Sequence, residues 1–222
     1  MESNLWEKVE SEHSIYYFFP SSYAHKICDR LVKEREAAYE KLNSIFKVVL
    51  SEKIKWYFFP SREEGVRLLG TLSPEQAIAP ALVIFTVYNE HHDSTPEHEL
   101  VHILSFYWNS GLTHSYKFLS EGLAGYLDSS VKGKHELARK LKVDGKLISF
   151  KKIITSTDFK SNDPDITYIQ SASFVRFVIE EYGWSKFSKL WLVKGNLGSE
   201  MGKIYGLDLE DIEREWLNFL ED

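Results

Sequence analysis

One cysteine, Cys28, among 222 residues leaves no internal disulfide and no thiolate cluster to hold a metal. Long apolar runs are missing too. The most apolar window, Ile78 to Tyr88, contains Pro80 and falls well short of the roughly 20 residues a membrane-spanning helix needs. The chain opens Met-Glu-Ser-Asn-Leu-Trp-Glu-Lys, with no basic start and no apolar stretch behind it, so we expect no secretory signal and a cytoplasmic location. Nor is there an excess of positive charge: the formal net charge is -6, which argues against a dedicated nucleic-acid binder. Aromatic residues, by contrast, make up 14% of the chain, a large supply for a core. The 43% hydrophobic and 27% charged fractions are those of a folded chain, not a disordered one.

Charge is unevenly spread. Lys132 to Lys160 holds nine basic groups against only Glu136, Asp144 and Asp158. Such a run reads either as a solvated helix and loop face or as the basic rim of a cleft for an acidic substrate.

Hydrophobic spacing gives the elements. Strands are expected at Ile15–Phe19, Ile54–Phe59 and Ala81–Tyr88, the last apolar on both faces and the expected edge for an extended peptide. A long helix should run from a Ser21 cap to Phe46, and a short one should follow Ser61, with Glu64 three residues on as a capping-box partner. Phe-Phe-Pro-Ser occurs twice, at Phe18–Ser21 and Phe58–Ser61, marking two similar strand-to-helix corners. Thr95 and Pro96 open a helix to about Trp108, and another begins near Phe118 and continues past Asp128. Further helices are expected at Tyr168–Tyr182, Trp184–Val193 and Leu209–Leu220, punctuated by Gly183, Gly195 and Gly206. Strands with helices followed by helices alone predict an α+β fold. We expect a single domain, 1–222, with an α/β lobe over 1–110, a helical lobe over 111–222 and a cleft between them.

The segment Thr95-Pro96-Glu97-His98-Glu99-Leu100-Val101-His102 carries a His-Glu-x-x-His pattern on that predicted helix. Residues four apart share a helix face, so both imidazoles can reach one ion, while Glu99 is placed to act on a water at that ion. At this composition chance supplies roughly 0.03 such matches. Alone, the pattern also fits two helix histidines beside a surface glutamate. A catalytic zinc takes three protein ligands plus water, and Glu121, 18 residues beyond His102, is a candidate for the third.

His-Glu-x-x-His followed after 18 residues by Glu resembles the gluzincin metallopeptidases of the aminopeptidase-N and leukotriene-hydrolase-like branch. Their second motif, Asn-Glu-Gly-x-x-x-Tyr-x-Glu, is answered here by Ser120-Glu121-Gly122, Tyr126 and Asp128, with Ser120 and Asp128 as the departures. The resemblance implies a thermolysin-like zincin fold, one Zn2+ per chain held by His98, His102 and Glu121, and Glu99 as general base. It implies hydrolysis of a peptide or protein substrate. It also points to a tyrosine or histidine of the helical lobe as oxyanion donor, a role for which Tyr168 and His114 compete, Tyr168 being otherwise a core or cleft-wall residue. Asp128 either supports a ligand imidazole or is an ordinary helix-face carboxylate. The Gly-x-Met-Glu-Asn stretch whose glutamate holds a substrate's free amine has no counterpart in Ala79–Phe85, so amino-terminal specificity does not carry over.

His91 and His92 read as a solvated turn, and His13, His25 and His135 have no evident partners. Two other readings stand beside peptide hydrolysis: a zinc-containing binding or regulatory module with little turnover, and a non-peptide hydrolase.

Overall fold

The computed structural model describes residues 5–70, 75–109, 116–129 and 131–221. Two compact units divide the chain, Met1–Leu112 and Thr113–Asp222.

The first unit is built on a mixed five-stranded sheet. Strand β1 (Glu7–Glu10) is followed by β2 (Ser14–Phe18), the short helix α1 (Tyr23–Lys26), the long helix α2 (Cys28–Phe46), β3 (Ile54–Phe59) and α3 (Arg62–Leu69). The edge strand β4 (Glu75–Ile78), a 3-10 turn (Ala79–Ala81), β5 (Val83–Val87) and α4 (Pro96–Trp108) complete it. The spatial order is β1-β2-β3-β5-β4, with β2, β3 and β5 parallel and the two outer strands antiparallel to their neighbours.

Alternation along the strands decides which layer covers which face. The register aligns Tyr16 with Trp56 and Phe18 with Phe58, and pairs Trp56 with Ile84. These residues are fully buried, and α2 lies on their side, because its Arg35 guanidinium sits over the Trp56 and Phe58 rings. The opposite face carries Phe59, Phe85 and Val87, packed with Trp6 and with Leu68 and Leu69 of α3. Across that face Tyr17 and Tyr57 stack at 4.5 Å, one strand against the next.

Several expectations shift. The long helix is split: Ser21 has positive φ, Ser22 caps α1, and α2 starts only after Ile27. More consequential for function, Ala81–Tyr88 is not an edge. Its regular part, β5, lies between β3 and β4, which explains why it is apolar on both faces. The edge on that side is β4, a four-residue strand that the sequence does not announce.

The second unit is helical: α5 (Lys117–Leu127), α6 (Val131–Val143), a 3-10 turn (Phe150–Lys152), α7 (Ser156–Ser161), α8 (Pro164–Tyr182), α9 (Trp184–Trp191), α10 (Leu197–Tyr205) and α11 (Leu209–Phe219). Helix α8 is its axis. It starts at Pro164 behind an Asp163 cap, four residues before the expected start at Tyr168. Phe118, Phe150, Phe174 and Trp216 form an aromatic core around it. A buried polar chain crosses this core, His135 Nδ1 and Trp216 Nε1 each lying 3.1 Å from Ser173 Oγ. The basic stretch is largely spent within the unit. Arg139 and Lys142 bond the Leu220 and Leu217 carbonyls at the C-terminal end of α11, Lys134 pairs with Asp128, and Lys151 pairs with Glu210. Cations at a helix C-terminus are favourably placed against its dipole.

Candidate metal site

Helix α4 begins after Thr95 with Pro96 in its first turn. Its buried side, Leu100, Val101, Ile103 and Leu104, packs into the first unit's core. The same turns carry His98, Glu99 and His102. One donor atom from each of the three lies within 4.8 Å of the others, and the His98 and His102 rings are 5.2 Å apart. Two bonds of about 2.0–2.1 Å to one ion require donors about 4 Å apart or closer. Two imidazoles one helical turn apart suit zinc. Glu99 is 8% exposed, so its carboxylate works in a medium that strengthens charge interactions. Among the described residues no other group of three His, Cys, Asp or Glu is gathered in this way.

A further carboxylate stands nearby, and sequence reasoning missed it. Glu75 heads β4 and is close enough to Ser94, Glu99 and His98 to feel their polar groups and charges. Burial, and after it the negative charge of Glu99, push its carboxyl up to about 7. The signal available was the alternation Glu-Gln-Ala-Ile ahead of Pro80. The edge strand β4, just ahead of Ala79–Phe85, carries this glutamate at its head.

The other predicted residues belong to the second unit. Glu121 is buried in α5, its Oε1 accepting from Lys117 Nζ at 2.9 Å. Gly122 and Gly125 let α5 approach α8 closely. The helix ends at Leu127, so Asp128 is its C-cap and not a continuing face; its buried carboxylate pairs with Lys134 at 2.5 Å. Tyr168 lies in the second turn of α8, 39% exposed, with its ring 5.4 Å from Phe159. His114 lies outside the described residues. Of the remaining histidines, His13 is stacked on Tyr39 and bonded to Glu36, and His25 pairs with Glu7.

Residues 81–222, well over half of the chain, match the family model of the peptidase MA superfamily. The chain belongs to the peptidase MA superfamily. The span of that match takes in the helix with His98, Glu99 and His102. No curated protein matches the chain. No helix among the described residues is long and apolar enough to cross a membrane.

Proposed function

We propose that the chain is a zinc-dependent peptidase of gluzincin type, acting as one peptidase domain over residues 1–222. The observation that carries this is the gathering of His98, Glu99 and His102 donors on one packed helix, in a chain of a superfamily that is typically zinc-dependent. His98, His102 and Glu121 would hold the ion; the assignment of Glu121 rests on its spacing from His102 and on the Ser120-Glu121-Gly122 sequence. Bound there, zinc would supply Lewis-acid polarisation of the scissile carbonyl and acidification of water. The chain's own residues do the rest. The Glu99 carboxylate takes the proton of the attacking water and returns it to the leaving nitrogen. Tyr168 donates a hydrogen bond to the developing oxyanion. An extended peptide adds to the free edge of β4 through main-chain hydrogen bonds. Glu75 at the head of that strand, its carboxyl raised to about 7 in the free chain, would ionise against a cationic group on the peptide.

Zinc stoichiometry and cleavage of a mixed peptide library, each with and without a chelator, test the reading. About one zinc per folded chain and chelator-sensitive cleavage are expected. A folded chain that takes up no zinc refutes it, and zinc binding without any cleavage turns it into the binding-module reading.

A further inference from the structure

We propose that Arg35 is a positioning residue for the metal-binding helix: its buried guanidinium grips Ser94 and thereby fixes where α4 begins. The inference rests on the reading of His98 and His102 as metal ligands. Arg35 lies in mid-α2 and is 1% exposed. Its guanidinium carbon is 5.5, 5.2 and 5.4 Å from the ring centroids of Trp56, Phe58 and Tyr88. Nη2 donates to the Ser94 carbonyl at 3.4 Å and to Ser94 Oγ at 3.2 Å. Nη1 is 3.5 Å from the half-exposed Glu34 carboxylate, and Nε has no hydrogen-bond partner.

Such a charge is a poor device for stability alone. Desolvation of a guanidinium is expensive, aromatic faces offset part of it, and an apolar side chain of similar volume is often neutral or stabilising in such a place. What the charge does hold is specific. Thr95 makes no side-chain cap bond to α4, and Pro96 has no N–H to give. The start of the helix is secured from outside, by Arg35 at Ser94 and by Lys41 at Glu97, 3.3 Å away, both reaching over from α2. Ser94 Oγ also accepts from Thr86 Oγ1 of β5 at 3.2 Å. One grip thus ties the helix start to the interior strand β5. His98 follows Ser94 by about one turn, and a metal site tolerates only about half an ångström of ligand displacement.

The test is a double-mutant cycle on zinc affinity, measured by competition with a chromophoric chelator, with Arg35→Met, Ser94→Ala and the pair. The visible absorption of the cobalt-substituted protein reports ligand geometry, and amide exchange across Leu100–His102 is followed in the metal-free protein. We expect Arg35→Met to weaken zinc about tenfold, the lower end of what outer-shell substitutions cost, to alter the cobalt spectrum and to speed that exchange, with the thermal midpoint of the metal-free chain preserved. Arg35→Lys keeps a cationic donor and should recover part of the affinity. The pair should be no worse than Arg35→Met alone. Unchanged affinity and spectrum in Arg35→Met overturn the inference, as do losses that multiply in the pair or that merely track unfolding. If the unsubstituted chain takes up no zinc, the metal reading fails, and the exchange measurement alone decides whether Arg35 orders the helix start.

Discussion

Replacing Gly122 by alanine sets two effects of opposite sign against each other. Gly122 lies inside α5, next to Glu121, where alanine is favoured over glycine by about 1 kcal/mol of helix propensity. A Cβ built there, however, would lie 2.7 Å from the Ser171 carbonyl oxygen and 2.7 Å from Val175 Cγ2, both in α8. The valine methyl can rotate away. The carbonyl is part of a hydrogen-bonded helix and cannot, so the two helices must separate. Overpacking of this kind costs about 1–3 kcal/mol, and with a backbone atom as the obstacle we place it towards the upper end. The net loss is then about 1–2 kcal/mol. At about 2–4 °C per kcal/mol for a chain of this size, the midpoint should fall by about 2–8 °C. Gly133 is the control: it sits in α6 with nothing within 4 Å of an added Cβ. Gly133→Ala should therefore raise the midpoint by about 2–4 °C. Thermal melts, with urea titrations to show an unchanged slope, measure both. A Gly122→Ala chain that melts at or above the unsubstituted midpoint would falsify the claim that α5 and α8 touch through this glycine.

The two glutamates of the proposed site should separate by zinc content: Glu99→Gln keeps the metal and loses about 10²–10⁴ in rate, whereas Glu121→Gln loses affinity and zinc-dependent stability. Metal retained by Glu121→Gln and lost by Glu99→Gln would reverse the roles. Tyr168→Phe should keep zinc and the melting midpoint, since the ring contact with Phe159 survives, while kcat falls; an unchanged kcat removes Tyr168 from the reaction. In the metal-free chain, Glu75 holds a proton when folded that it has lost when unfolded, from its ordinary 4.5 up to about 7. Stability therefore declines as pH rises through that window. Glu75→Gln should flatten the decline, which melts at pH 4.5 and 7.5 can check.

The pattern of His98, Glu99 and His102 was legible because it is local: four residues make one helical turn, and no distant contact is needed to bring the donors together. Strand β3 was legible because it is a run of aromatic and β-branched residues stopped by Pro60. Strands β1 and β4 were not. Each is four residues long with charged or polar members, and each owes its conformation to a longer neighbour that supplies the hydrogen bonds. Helix α10 was passed over because Gly195 and Gly206 read as punctuation, while Asn196 in fact caps it, accepting from the Ser199 N–H. The start of α8 was there to be read in Asp163-Pro164. Arg35 marks a harder limit. A charged residue in an amphipathic helix is expected at the surface, and its burial is decided by Trp56, Phe58 and Tyr88, residues 21 to 53 positions away that only the folded sheet brings over it.

The mixed sheet has a practical corollary for anyone choosing where to cut the chain. The family match begins at Ala81, between β4 and β5. A fragment started there would retain β5 while discarding both strands that flank it, β3 and β4, along with α2, against which α4 packs. Its most apolar segment would be left with two open backbone edges, the arrangement most prone to self-association. The boundary of sequence kinship and the boundary of autonomous folding are different places in this molecule. The leading eighty residues, which the match does not include, supply the strands and the helix against which β5 and α4 pack.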